Sequence, residues 1–277
     1  MIKKFVKRAL EEDVGRGDLF SLVGKESFAS ANIVCKDEGV FAGKPYVKAL
    51  CKMNKLDIKF YFNDGDVLHK GDLVAVIEGK SKHILRCERV LLNLMQHASG
   101  IASNVASYKR VLGDHKLKLL DTRKTRPHLR IFEKYAIRCG GGSNHRMGLD
   151  DCLMLKDTHL KTIDDLAQFI QEARQKLPFT CKIEIECEDI DFAQYAMQCG
   201  ADIIMCDNMK CEQIAQVVAY AKEHFPHVLL EASGNITKEN IIDYAKTGVD
   251  AISSGSLIHQ ATWLDFSMRI THKLSMA

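Results

Sequence analysis

The chain has no cysteine pair spaced CxxC, no cysteine and histidine cluster at zinc-ligand spacing, and no apolar run near the roughly 18 residues a membrane helix needs. Its ten cysteines are scattered from Cys35 to Cys211, which excludes a disulfide framework and reads as reduced, mostly buried thiols. The amino terminus, MIKKFVKRALEED, carries charge throughout and so lacks the apolar core of a signal peptide. A cytoplasmic location and no membrane partner are expected. Charge of one sign is also missing: 39 basic residues face 36 acidic ones, and a net charge of +3 is too mild for an obligate nucleic-acid binder.

What is present is local. In the stretch 121–156, DTRKTRPHLRIFEKYAIRCGGGSNHRMGLDDCLMLK, the cations Arg123, Lys124, Arg126, Arg138, His145, Arg146 and Lys156 crowd around three consecutive glycines. Like charges 4 to 8 Å apart repel by about 2 to 4 kcal/mol at an effective dielectric near 20. A fold that gathers several of them calls for an anion, and arginine's planar fork suits carboxylate or phosphate. The alternative is a solvated basic loop.

With 277 residues, 46% of them hydrophobic, the chain suits one large domain or two. Ile2, Phe5, Val6, Ala9 and Leu10 follow helical spacing. Residues 28–79 read as an α+β module of short strands around one helix, with little chemistry in it. Residues 82–112 form a long, largely buried helical segment, expected to break near Ser99 and Gly100. Arg86, Arg89, Asn93 and Gln96 or His97 make a polar stripe along it, either a solvated face or a means for an arginine to reach an anion in a neighbouring subunit.

After Lys116 the pattern becomes strand, loop, helix, repeated. The strand candidates are LKLLDT (117–122), a weaker AIRCG (136–140), CLML (152–155), CKIEIE (181–186), ADIIMCD (201–207), HVLLEAS (227–233) and VDAISSG (249–255). Alternation with short connections argues for parallel strands and crossover helices, and seven units suggest a closed or nearly closed barrel. Polar residues and glycines gather at the carboxyl ends: Arg123 and Lys124, Lys156, Glu186, Asp207, Ser233 with Gly234, and Gly255. That rim is where α/β barrels assemble active sites.

The alternation in CKIEIEC places Lys182, Glu184 and Glu186 on one face; Lys182 and Glu184 are expected to neutralise each other, leaving Glu186 nearest the mouth. Glu186 and Asp207 on adjacent strands suit a divalent metal chelated by a phosphorylated substrate, or else pair with Lys156 or an arginine. The loops ASGN (232–235) and SSGS (253–256) set a hydroxyl beside glycine, where backbone amides can approach a phosphate.

Several of these segments, ALEEDVGRGD, ERVLLNLMQHASGIAS, DTRKTRPHLR, GGGSNHRMGLDD, MLKDTH, IEIE, DIIMCDN, EASGNI and SSGSLIH, closely resemble the quinolinate phosphoribosyltransferase family, in order and over nearly the whole chain. The resemblance implies an open or incomplete α/β barrel over 113–260. It further implies an amino-terminal α+β sandwich with linking helices over 1–112, joined by 261–277, in a type II phosphoribosyltransferase-like arrangement. It implies transfer of phosphoribosyl from phosphoribosyl pyrophosphate to quinolinate with decarboxylation, giving nicotinate mononucleotide for NAD synthesis. Arg123, His145, Arg146 and Lys156 would hold quinolinate, with Arg89 entering from the partner of a homodimer or higher oligomer. Lys124, Glu186 and Asp207 would meet phosphoribosyl pyrophosphate and its Mg2+ and carry the chemistry, and Ser233, Gly234 and Gly255 would receive the 5-phosphate. Asn235 stands where the family usually has a further glycine, and SSGS replaces the commoner SxGA, so Ser256 is a second departure.

Three rivals define the tests. A nicotinate phosphoribosyltransferase uses the same donor and has one carboxylate fewer to bind. A barrel lyase would use Lys156 as a Schiff base, and a nucleic-acid binder would use the basic stretch.

Overall fold

The computed structural model describes residues 1–274. The elements of the first part of the chain are α1 (Ile2–Val14), α2 (Leu19–Val23), β1 (Phe28–Cys35), β2 (Gly39–Val40), α3 (Lys44–Met53), β3 (Asp57–Phe60), β4 (Val67–Leu68), β5 (Leu73–Lys80) and α4 (Ser81–Leu112). Then come β6 (Lys118–Leu120), α5 (Arg130–Cys139), β7 (Leu153–Leu155), α6 (Asp157–Leu160), α7 (Leu166–Lys176), β8 (Ile183–Cys187) and α8 (Ile190–Gln198). The last are β9 (Ile203–Asp207), α9 (Cys211–His224), β10 (Leu229–Ser233), α10 (Ile241–Lys246), β11 (Ala251–Ser253), α11 (Ser256–His259) and β12 (Phe266–Leu274).

The chain divides into two compact units, 1–106 with 135–141 and 261 onward, and 107–134 with 142–260. The division falls within α4, at 106/107, where the sequence suggested 112/113, and the second half of α5 goes with the first unit. Residues 275–277, the end of the segment expected to join that unit, lie outside the described residues.

In the first unit an antiparallel sheet has the order β12-β1-β5-β3. Strand β1 is central because Ala29, Ala31, Ile33 and Cys35, two residues apart, are all buried. Helices α1 and α3 meet through Phe5 and Tyr46, whose rings lie edge to face at 5.5 Å.

Helix α4 runs unbroken through Ser99 and Gly100, contrary to the expected break. The reason is tertiary. Ser99 Oγ accepts from Ala42 N (3.0 Å) and donates to Ala42 O (3.2 Å). Gly100 lies so close to the chain at Thr262 that an added Cβ would overlap its carbonyl oxygen and stand 2.9 Å from Trp263 Cα. Here glycine serves close backbone approach rather than helix termination.

The second unit is a parallel sheet in the order β6-β11-β10-β9-β8-β7. Among the described residues β6 and β7 do not pair, so the barrel is open, and it has six strands rather than seven. The segment 136–140, expected as a strand, belongs to α5 as far as Cys139. Phe132, Ala136 and Ile137 are buried on one helix face, so helical periodicity wins over a short apolar run. A seventh position is marked only by a parallel bridge from Leu120 to Ser143. This places the glycine-rich loop beside β6.

Gly100→Ala is expected to destabilise the protein by about 1 to 3 kcal/mol, the usual cost of overpacking, read as a lower urea midpoint at unchanged m-value. A change below 0.5 kcal/mol would contradict the close approach described here.

Candidate active site

The carboxyl ends of all six parallel strands open on one cavity of about 530 Å³, lined by Thr122, Arg123, Lys124, Arg130, His145, Arg146, Met154, Lys156, Glu186, Met205, Asp207, Ser233 and Ser253. Parallel pairing puts these strand ends level with one another, so residues far apart in sequence share one rim.

The basic loops are held from below by a buried ion pair. Asp121, directly after β6, and Lys134 of α5 are both fully buried, and Lys134 Nζ donates to Asp121 Oδ1. Lys134 Nζ also donates to His145 O (3.0 Å). Asp121 accepts in addition from His145 N (2.9 Å) and from Asn144 Nδ2 (2.6 Å), which also donates to Lys134 O (2.8 Å). Burial pushes the Asp121 carboxyl up and the Lys134 ammonium down in pKa, and each is opposed by its partner. One carboxylate thus ties together β6, the start of α5 and the 143–146 loop.

On that platform Arg123, Arg130 and Arg146 come close. Partial burial, then the charges of Arg146 and Arg130, lower the pKa of Arg123. Arg146 is 8% exposed and donates from Nη1 to Cys152 O at 3.0 Å. Arg130 is tied to Thr125 Oγ1 (3.3 Å) and Met147 O (3.0 Å).

Beside them lies a buried group of His145, Glu184 and Glu231. His145 Nε2 is 3.2 Å from Glu184 Oε1 and 3.3 Å from Glu231 Oε2. The expected neutralisation of Glu184 by Lys182 does not occur: Lys182 is exposed, and the fully buried Glu184 faces His145. Burial opposes charge on His145, while hydrogen bonds and charge from Glu184 and Glu231 push its pKa up to about 10. The Arg146 N–H is directed at Nδ1 (2.7 Å). Nε2 is directed at both carboxylates, and burial pushes the Glu184 carboxyl upward while the hydrogen bond from His145 opposes that shift. The three ligand atoms lie within 4.8 Å of one another, as a metal would require. With Nε2 directed at Glu184 and Glu231, the three side chains form a hydrogen-bonded cluster.

Two residues beyond Glu184 on β8, Glu186 Oε2 accepts from Lys156 Nζ, the pairing that the sequence left open against metal binding. Asp207 closes β9 and accepts from Asn208 Nδ2 (2.7 Å). Glycine is required at Gly234, and a second glycine stands under Lys124. Gly234 has φ 91, and a Cβ there would collide with Asn208; at Gly255 a Cβ would stand 2.7 Å from Lys124 Cδ, so Lys124 lies across that turn. Asn235 has φ 49, a left-handed conformation that asparagine tolerates where glycine is otherwise favoured. Ser256 is buried: its Oγ is 2.9 Å from Tyr108 OH and 2.7 Å from Ser254 Oγ, and Ser254 donates to Ile236 O (3.2 Å). Both departures from the family pattern are thus accommodated locally, one by backbone geometry and one by a hydroxyl chain joining the two turns.

Of the residues singled out in the sequence, Arg123, Lys124, His145, Arg146, Lys156, Glu186, Asp207 and Ser233 line the cavity. Gly234 and Gly255 shape the adjoining turns. Arg89 lies on the part of α4 in the other unit and is exposed, whereas Arg86 of the same stripe donates to Asn54 Oδ1 (2.9 Å) and His97 stacks on Trp263. Arg126 pairs with Glu133 (2.6 Å), and Arg138 is exposed in the first unit. Arg130, Ser253, Lys134, Glu184 in its true pairing and Glu231 were missed. For Arg130 a signal existed, its place at the head of a helix directly after the basic loop.

Comparison with known proteins gives one family. The model described as quinolinate phosphoribosyl transferase, N-terminal domain, matches residues 18–99, and that described as its C-terminal domain matches 101–269. A Bacillus subtilis protein described as a probable nicotinate-nucleotide pyrophosphorylase (carboxylating) is 41% identical over 275 residues, 98% of this chain and 93% of the relative. The Rattus norvegicus nicotinate-nucleotide pyrophosphorylase (carboxylating) is 35% identical, over 94% of this chain and 88% of the relative. The crystal structure of NadC from Streptococcus pyogenes superposes with a TM-score of 0.90 at 41% identity, covering 97% of this chain and 95% of that one.

Lys134→Met is expected to cost about 3 to 5 kcal/mol of stability, since it leaves Asp121 buried and unpaired, and Asp121→Asn added to it should recover part of that loss. Denaturant unfolding checks both. A single variant within 1 kcal/mol of the parent would contradict the anchoring role.

Proposed function

The chain belongs to the quinolinate phosphoribosyltransferase family, and on that premise we propose that it transfers phosphoribosyl from phosphoribosyl pyrophosphate to quinolinate with loss of carbon dioxide, as a pentosyltransferase of NAD biosynthesis. The observation that carries this reading is the convergence of Arg123, Arg130, Arg146 and Lys156 with Glu186, Asp207 and Ser233 in one cavity. A dicarboxylate and a sugar phosphate side by side match that distribution of charge.

In this reading Arg123, Arg146, Lys156 and the fixed ring of His145 orient the dicarboxylate so that its pyridine nitrogen faces the anomeric carbon, chiefly a matter of positioning. Lys124, lying across the Gly255 turn, offsets charge on the departing pyrophosphate, and Glu186 or Asp207 offsets the oxocarbenium character of the sugar. Glu186 and Asp207 offer hard carboxylate oxygens from adjacent strands, a donor set suited to magnesium shared with phosphates. Bound there, magnesium would supply charge neutralisation on the pyrophosphate. Once the ring nitrogen is quaternary, its positive charge stabilises the carbanion left on the neighbouring carbon when that carbon's carboxylate departs as carbon dioxide, and the carbanion takes up a proton. Lys156, bridging to Glu186, stands between the two substrate halves.

A homodimer completed by Arg89 of the second copy follows from the same reading. Leu19, Leu22 and Val23 of α2 are each at least 75% exposed, an apolar surface suited to cover by another chain. No helix among the described residues is long and apolar enough to cross a membrane.

The test is incubation with quinolinate and phosphoribosyl pyrophosphate, with and without magnesium, following nucleotide and carbon dioxide together. Equimolar release with magnesium supports the proposal; nucleotide formed from nicotinate without carbon dioxide would replace it by the simpler transferase. Arg146→Ala should weaken quinolinate binding roughly 10- to 150-fold, the equivalent of 1.5 to 3 kcal/mol, with the fold retained by circular dichroism. Arg89→Ala should be inactive alone and regain activity in heterodimers with a chain inactivated at Arg146. Absence of that complementation would remove Arg89 from the site.

A further inference from the structure

Between Asp207 and the Gly234 turn lies a side-chain network with no role in the steps above. Asn208 follows β9 with φ 55. Its backbone N–H donates to Ser233 O (3.0 Å), its Nδ2 donates to Asp207 Oδ2 (2.7 Å), and its Oδ1 accepts from Asn235 Nδ2 (2.9 Å). The fit to Gly234 is tight: a Cβ there would overlap Asn208 Oδ1 and stand 2.6 Å from Cγ and 2.7 Å from N. Asn235 is secured in turn, its carbonyl accepting from Asn240 Nδ2 (3.1 Å), while Asn240 Oδ1 accepts from Thr237 N (2.8 Å).

One amide therefore touches both a carboxylate at the end of β9 and the turn at the end of β10. We infer that Asn208 is a positioning residue that holds the Asp207 carboxylate and the Gly234 turn in a fixed relation, with Asn235 as its latch, so that the two ends of the sugar-phosphate donor are bound as a unit. This rests on the reading of Asp207 and that turn as parts of the phosphoribosyl pyrophosphate site.

The chemistry selects asparagine. The side chain must donate toward Asp207 and accept from Asn235, a polarity an amide has and a carboxylate lacks. Aspartate at 208 would set a second negative charge against Asp207, and an aliphatic side chain would leave both partners unmet. The left-handed backbone at 208 and 235 is open to asparagine and glycine at little cost. Glycine substitutions therefore delete each side chain while preserving the backbone.

The experiment uses Asn208→Gly, Asn235→Gly and the double variant in the full chain. Titration calorimetry gives the Kd of phosphoribosyl pyrophosphate with and without magnesium, and steady-state kinetics gives the KM for quinolinate. Each single variant should weaken donor binding roughly three- to tenfold, the range of one lost hydrogen bond. The double variant should be no weaker than Asn208→Gly, since both act through one link, and the KM for quinolinate should not move. The enhancement of donor affinity by magnesium should fall in Asn235→Gly as well, although Asn235 does not touch Asp207 directly. Multiplicative effects in the double variant, or donor binding unchanged in Asn208→Gly, would overturn the inference. A parent chain that fails to bind phosphoribosyl pyrophosphate overturns the reading of the site itself, so the two failures are distinguishable.

Discussion

The cavity depends on a charge pair that never reaches it. Asp121 and Lys134 are both removed from water, and burying charges costs several kcal/mol per ion unless each finds partners of good geometry. Here the partners are the backbone of His145 and the amide of Asn144. The cost of burial is offset only when the 143–146 loop is in place, so the pair makes the position of His145 and Arg146 a condition of folding. Arg123, two residues beyond Asp121, inherits the same fixed point.

Above this anchor, function is divided by position along each strand. Side chains lower in the barrel, Glu184 and Glu231, are buried and set the orientation of His145. Residues one step further, Glu186, Asp207 and Ser233, face the cavity. The turns beyond them use glycine, or asparagine in a left-handed conformation, wherever a second chain segment comes close. Buried hydroxyls of Tyr108, Ser254 and Ser256 on one side and the Asn208, Asn235 and Asn240 amides on the other bind those turns to each other. Opposite charges are kept in the same cavity, as with Lys156 and Glu186, so that cations can be concentrated without a large excess charge on the chain.

Much of this was legible in the sequence because the alternation of strand and helix forces polar strand ends onto one rim. The residues of the basic loop and the two hydroxyl-glycine turns follow from that rule. What was illegible depended on contacts between distant segments. The glycine at position 100 looks like a helix break until the backbone at Thr262 occupies the space of its missing Cβ. The run 136–140 reads as a weak strand, and only the burial of Phe132, Ala136 and Ile137 together marks a helix. Strand periodicity put Lys182 and Glu184 on one face, yet the lysine reaches water and the glutamate meets a histidine 39 residues earlier in the chain. Nothing in the sequence marks Lys134, and its partner 13 residues away is visible only in the folded chain.

In the proposed function these cations are gathered for two carboxylates on one ring. Direct calorimetric comparison of quinolinate with nicotinate, at equal ionic strength and in the absence of the sugar-phosphate donor, addresses that claim most simply. If the second carboxylate is held by charge-assisted hydrogen bonds, quinolinate binds at least about tenfold more tightly, the equivalent of 1.4 kcal/mol. Equal affinity for the two ligands would contradict it.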